Sequence, residues 1–220
     1  MAELIRGIRA EVVRDNLERV RSEIVSAGRD PAGVEILAAT KYVPAEELPA
    51  LAEAGVTLAG ENRLQDLVAK QAAQSAGFTW DFIGHLQSRK VRDLVGRVRY
   101  IHSVGTDSAL AALGRHGQPG TEVLVEVNVA GEPGKSGIAP GALAGFLERS
   151  PVQVIGLMTM PPLAERPEQS RPHFAALREL AERHRLAHLS MGTSQDYLMA
   201  VQEGATIVRL GTTLYRPYAP

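Results

Sequence analysis

The chain has 220 residues, 45% of them hydrophobic and 22% charged, with a formal net charge of −1 at pH 7. Interspersed charges of both signs exclude a basic stripe for nucleic acid or membrane, and the absence of cysteine excludes disulfides, thiol catalysis and cysteine–metal sites. Met1-Ala2-Glu3-Leu4-Ile5-Arg6 lacks a signal-peptide core and no apolar run is long enough to span a bilayer, so a cytoplasmic chain folding as one α/β domain over 1–220 is expected.

Leu4, Ile5, Ile8, Val12, Leu17, Val20 and Ile24 recur at helical spacing and predict an amphipathic helix over 4–27, stopped by Gly28 and Pro31. Short apolar runs then alternate with helical patterns. Strands are predicted at 34–39, 56–59, 79–83, 99–104, 122–128, 152–157, 187–190 and 206–210. Helices are predicted at 45–54, 63–75, 88–96, 107–116, 140–149, 167–185 and 195–203. Eight βα units in about 200–250 residues predict a closed (β/α)8 TIM-type barrel. An open doubly wound sheet would need edge strands, and every strand here is apolar enough to be buried on both faces. The eighth strand has only residues 211–220 after it, and the extra N-terminal helix is expected to cover that gap.

A barrel gathers the residues after its strands on one face, where such folds place their chemistry. Lys41 follows the first strand. It is one of four lysines against twenty arginines, and only an amine can lose its proton and form a Schiff base. Asn62 follows the second strand and His85 the third; His102 and Ser103 end the fourth. The two histidines fit no metal-ligand spacing and read first as satisfied polar residues. Met158, Met160 and Met191 read as packing. Lys135 reads first as a solvated lysine on a glycine-rich loop, and second as a further amine at the same face.

The loops after the last two strands, Ser190-Met191-Gly192-Thr193-Ser194 and Gly211-Thr212-Thr213, pair glycine with hydroxyls where barrels often bind phosphate. Ser194 is also placed to cap the helix at 195–203. Alternation puts Ile207, Arg209 and Gly211 on one face of the last strand, either inside the barrel or beneath a helix. A reactive lysine and a phosphate grip suit pyridoxal 5′-phosphate and a Schiff-base aldolase acting on a sugar phosphate alike.

The segments Ala38-Ala39-Thr40-Lys41, Gly60-Glu61-Asn62, Phe82-Ile83-Gly84-His85-Leu86-Gln87, Ile101-His102-Ser103 and Lys135-Ser136-Gly137 resemble the pyridoxal phosphate homeostasis proteins, an alanine racemase-like barrel family of fold type III. Gly156-Leu157-Met158-Thr159-Met160, Leu189-Ser190-Met191-Gly192 and Val208-Arg209-Leu210-Gly211-Thr212 extend the resemblance along nearly the whole chain. It implies that Lys41 holds pyridoxal 5′-phosphate as an internal aldimine. It further implies that Ser190, Ser194, Gly211 and Thr212 contact the phosphate, that Arg209 faces the pyridine nitrogen and that Asn62 lies near the ring. Two departures are Thr193, where methionine is common, and the ending Thr213-Leu214-Tyr215-Arg216-Pro217-Tyr218.

The family implies a monomer that carries or buffers the cofactor, with pyridoxal-phosphate-dependent apo-enzymes as recipients, rather than an enzyme. An amino-acid racemase-like enzyme is the alternative; it would need a second domain to close the site, and the barrel uses the whole chain.

Overall fold

The computed structural model describes residues 4–73 and 77–218. Eight parallel strands close into a barrel in sequence order: β1 Glu35–Ala39, β2 Leu58–Glu61, β3 Thr79–Phe82, β4 Tyr100–Val104, β5 Glu122–Glu126, β6 Gln153–Met158, β7 His188–Thr193 and β8 Ile207–Leu210. Closure is made by β1 against β8, with Glu35 beside Ile207 and Leu37 beside Arg209. The helices are α1 Ala10–Ser26, α2 Leu48–Glu53, α3 Leu64–Ala73, α4 Val91–Leu94, α5 Asp107–His116, α6 Leu143–Glu148, α7 Arg171–Arg183, α8 Tyr197–Gln202 and α9 Thr212–Tyr215. Several predicted helices open with a 3-10 turn, as at 45–47 and 140–142, where a proline at or before the first turn tightens the entry. Residues 74 and 75 of the predicted third helix lie outside the described residues.

Several boundaries differ from the sequence pattern: the fifth strand stops at Glu126, and the helices expected at 88–96 and 195–203 are shortened to α4 and α8. The first helix begins at Ala10, not at residue 4. Gly7 is left-handed, at φ 67°, and the preceding arm spends its donors elsewhere. Ile5 N–H reaches Tyr42 O at 2.8 Å, and the N–H groups of Gly7 and Ile8 reach the two Glu47 carboxylate oxygens at 2.8 and 2.9 Å. The second strand is shifted toward its glycine end and includes Gly60 and Glu61. The seventh continues through Met191, Gly192 and Thr193.

Inside α1 the buried stripe keeps Leu17, Val20 and Ile24 of the expected pattern, but Val13 takes the buried place expected of Val12, which is only half-buried, and Leu4 lies before the helix and is exposed. Val13, Leu17, Val20 and Ile24 are buried against the barrel, each stabilising the fold by roughly 1.5–3 kcal/mol. Asn16 on the same face donates to the carbonyls of Leu214 and Arg216 at 3.1 and 2.8 Å. The N-terminal helix thus closes over α9, the four-residue helix after β8.

The barrel interior is divided by sector. Leu37, Leu58 and Ile207, backed by Ile83 and Tyr100, form an apolar plug. Asp81, His102, Ser190 and Arg209, from β3, β4, β7 and β8, are buried polar groups. A polar sector inside a barrel is stable only if its members satisfy one another, and these do.

Candidate functional site

Lys41 lies in the turn that follows β1, exposed at the mouth. Alternation from Leu37 through Ala39 carries the inward face of the strand toward it. Its Nζ stands 5.1 Å from the Tyr42 ring centroid. The turn is anchored from behind by a buried cluster. Thr40 Oγ1 donates to Glu61 Oε1 at 2.8 Å, Lys70 Nζ donates to Thr40 O at 2.7 Å, and Lys70 also pairs directly with the Glu61 carboxylate. Lys70 is 5% exposed and Glu61 fully buried, so neither charge is tolerable without the other. Asn62 is half-buried at the same rim, its N–H donating to Glu61 Oε2 at 3.0 Å.

The two glycine-hydroxyl loops meet. Ser194 Oγ accepts from Gly211 N–H at 3.2 Å and from Thr213 N–H at 3.4 Å, so its hydroxyl ties the loop after β7 to the loop after β8. It does not cap the following helix. That helix starts at Tyr197 with Asp196 before it, and Asp196 Oδ1 accepts instead from the Thr193 N–H and hydroxyl at 2.8 and 3.1 Å. A cleft lined by Arg19, Ser194, Thr212, Thr213 and Arg216 opens on these loops. Thr212 is exposed there. At Gly211 the nearest atom a Cβ would meet is Ala39 O at 3.8 Å. The backbone at Gly211, at φ −114° and ψ −96°, lies outside the regions that side-chain-bearing residues favour, and with no Cβ it is open toward the mouth.

Arg209 points into the barrel and is 6% exposed. Its Nη1 donates to Ser190 O and Oγ at 2.7 and 2.6 Å, and its Nη2 donates to Thr159 O at 2.9 Å and lies 2.9 Å from Met160 Sδ. Among the described residues no carboxylate pairs with it. Burial lowers its pKa to about 10, opposed through space by Asp196 and Glu126, and it stays cationic at neutral pH. Ser190 is fully buried, and its hydroxyl is engaged with Arg209 and, at 2.9 Å, with His102 Nδ1. The structure therefore brings Ser190 to the arginine, below the two loops that hold Ser194, Gly211 and Thr212.

Two sequence candidates fall outside this grouping. His85 is exposed. Lys135 pairs with Glu132 in its own loop. Of the methionines read as core or rim packing, Met160 is 44% exposed at the rim beside Arg209 and Met191 is fully buried core. Glu61, Lys70, Asp81 and Glu126 were not singled out from sequence. Asp81 and Glu126 sit on β3 and β5 as buried carboxylates, and a carboxylate inside an otherwise apolar strand was the available signal. Glu126 Oε1 accepts from the Ser136 hydroxyl at 2.6 Å, which holds the loop after β5 against the mouth.

The alanine racemase N-terminal domain family matches residues 8–219. The chain is 40% identical over 213 residues to the pyridoxal phosphate homeostasis protein of Aquifex aeolicus, covering 90% of this chain and 93% of that one. It is also 40% identical over 217 residues to the protein of the same name from Pseudomonas aeruginosa, covering 94% of each. The solved structure of PipY from Synechococcus elongatus PCC7942 with pyridoxal phosphate bound superposes with a TM-score of 0.79 at 32% identity, covering 93% of this chain and all of that one. By matches that run nearly end to end in sequence and in fold, this chain belongs to the alanine racemase N-terminal domain family, among its pyridoxal phosphate homeostasis proteins.

Proposed function

We propose that this chain binds pyridoxal 5′-phosphate through Lys41 and carries or buffers the cofactor as a monomer that supplies dependent apo-enzymes. The observation that carries the reading is Arg209, a buried cation with no carboxylate partner among the described residues, which faces the same barrel interior as the Lys41 strand. A desolvated guanidinium in that position is suited to an acceptor on a ligand. A sugar-phosphate aldolase has no ring nitrogen to offer it. The residues present fit the cofactor at its other points too. The space over Gly211 and the joined loops suit a phosphate, and Lys41 is the amine at the mouth.

Pyridoxal phosphate supplies an aldehyde that condenses reversibly with a primary amine, with loss of water. The chain's own residues do the rest. The Lys70–Glu61–Thr40 cluster holds the turn that presents Lys41. Ser194 keeps the two loops at one spacing, and hydroxyls and backbone N–H groups of Thr212 and its neighbours are available to an anion. Arg209, always protonated, donates and keeps a facing nitrogen from taking a proton. That weakens the ring as an electron sink and suits storage better than turnover. Exposure of Lys41 to water and to free amines suits release. A racemase-like enzyme is the second reading, separated by assaying amino-acid racemisation.

The test is an absorption spectrum of the purified protein before and after borohydride, with the reduced adduct mapped by peptide mass spectrometry. A yellow protein with the adduct on Lys41 is expected. A protein that takes up no added pyridoxal phosphate would overturn the proposal in favour of the aldolase. Sedimentation at the mass of one chain checks the monomer.

A further inference from the structure

A continuous line of hydrogen bonds runs from Arg209 through the barrel to its opposite rim, buried from Arg209 to Asp81 and partly exposed at Arg99 and Glu35. Arg209 Nη1 lies 2.6 Å from Ser190 Oγ. Ser190 Oγ lies 2.9 Å from His102 Nδ1, and His102 Nε2 lies 3.1 Å from Asp81 Oδ2. Arg99 then donates from Nε to Asp81 Oδ1 at 3.0 Å and from Nη2 to Asp81 Oδ2 at 2.8 Å, and its Nη1 reaches Glu35 Oε1 at 2.6 Å. Glu35 opens β1, at the amino end of the barrel. Asp81, His102 and Ser190 are all fully buried, so every proton on this line must have a partner within it.

Counting those protons leaves one arrangement. Arg209 has only donors, so Ser190 Oγ accepts from it. The serine proton must then go to His102, whose Nδ1 is bare. The histidine proton is on Nε2 and is donated to Asp81, a carboxylate fixed by Arg99 and by Tyr100 N–H at 3.2 Å. The other neutral tautomer would set a ring lone pair against the Asp81 carboxylate and leave the serine proton with no acceptor. A protonated ring would orphan the same serine proton and place a second cation beside Arg209. His102 therefore makes a neutral hydrogen bond to Asp81 and not an ion pair.

We infer that His102 is a positioning residue for Arg209: held by Asp81 with its proton on Nε2, it takes the Ser190 proton and turns the serine lone pairs to the guanidinium. The inference rests on the reading that Arg209 serves a bound pyridine ring. The line assigns one hydroxyl orientation and so one guanidinium plane, fixed on the other side by Thr159 O. Nε is then the guanidinium nitrogen with no protein acceptor among the described residues.

The first measurement needs no cofactor. Imidazole 15N shifts of selectively labelled protein should show His102 neutral, with the proton on Nε2; a proton on Nδ1, or an imidazolium at neutral pH, overturns the relay. The second is pyridoxal phosphate affinity in a double-mutant cycle. Ser190→Ala and His102→Leu should each weaken binding roughly tenfold, the scale of one buried hydrogen bond to a charged group. The double variant should lose no more than either alone, because the histidine acts only through the serine. His102→Gln, which offers both an acceptor and a donor, should recover most of the loss. Losses that multiply in the double variant overturn the assignment. If His102→Leu does not fold, the 15N measurement on the wild-type protein still decides the proton arrangement. A wild-type protein that takes up no cofactor overturns the cofactor role of Arg209, whereas the tautomer reports on the relay alone.

Discussion

At the scale of single residues, the proposed function asks for a covalent group in Lys41 and an electrostatic one in Arg209. Among the described residues the Lys41 side chain makes no hydrogen bond, and it is exposed. Lys41→Ala should therefore leave the unfolding midpoint within about 0.5 kcal/mol of wild type while abolishing the borohydride-trapped adduct. Arg209 is the opposite case, four contacts deep in the barrel. Arg209→Leu should weaken pyridoxal phosphate binding by roughly ten- to a hundredfold, the loss of a charge-assisted hydrogen bond in a dry site. The adduct should still form on Lys41 at high cofactor concentration. An Arg209→Leu protein with wild-type affinity would remove the arginine from the site.

At the scale of elements, the anchoring of the β1 turn depends on α3 and β2. Lys70 and Glu61 are nine residues apart, but their pairing supports Thr40, just after β1 and more than twenty residues earlier in the chain. Removing one charge leaves the other buried and unpaired, so Lys70→Met should destabilise the protein by about 3–5 kcal/mol. Adding Glu61→Gln should restore part of that loss, since no charge is then stranded. Urea unfolding of the single and double variants checks both statements. Two additive losses would show that the pair is not coupled.

At the scale of the whole molecule, the buried line through the barrel makes stability depend on pH. Burial pushes the His102 imidazole below its ordinary range, with the hydrogen bond to Asp81 opposing. The unfolded chain binds a proton there near pH 6.5 while the folded chain does not. Stability is thus full above about pH 6.5 and falls as pH drops, at no more than about 1.4 kcal/mol per unit. For Asp81, burial raises the carboxyl pKa, but hydrogen bonds from His102 and Arg99 outweigh it and leave the group below its ordinary range. Its contribution is present above about pH 4 and is lost as pH falls through the depressed folded value. Between about pH 7 and pH 5 the unfolding midpoint should therefore fall through His102 alone, and Asp81 adds a further loss in the same direction only below about pH 4. His102→Gln, having no imidazole to titrate, should flatten that limb. A midpoint rising toward acid would contradict the burial of a neutral histidine.

The period of the hydrophobic pattern was enough to determine the barrel. Strand and helix periods are local properties, and eight buried strands with no edge admit closure most simply. Lys41 and the two glycine-hydroxyl loops were legible for the same reason, since strand ends are read from the pattern and strand ends meet at one face. Alternation limited Arg209 to two faces; only the closed barrel put it inside, opposite Leu37. The start of α1 was misread because residues 5–8 give their N–H groups to Tyr42 and Glu47, some forty residues away. Sequence alone left Ser194 open between a helix cap and the glycine-hydroxyl loops; its donors, Gly211 and Thr213, are set by closure and rule out the cap. The pairs Thr40 with Glu61, Asp81 with His102, and His102 with Ser190 lie 21, 21 and 88 residues apart. A proton's partner across such a span is decided by which side chains closure brings within 3 Å, and no local pattern records that.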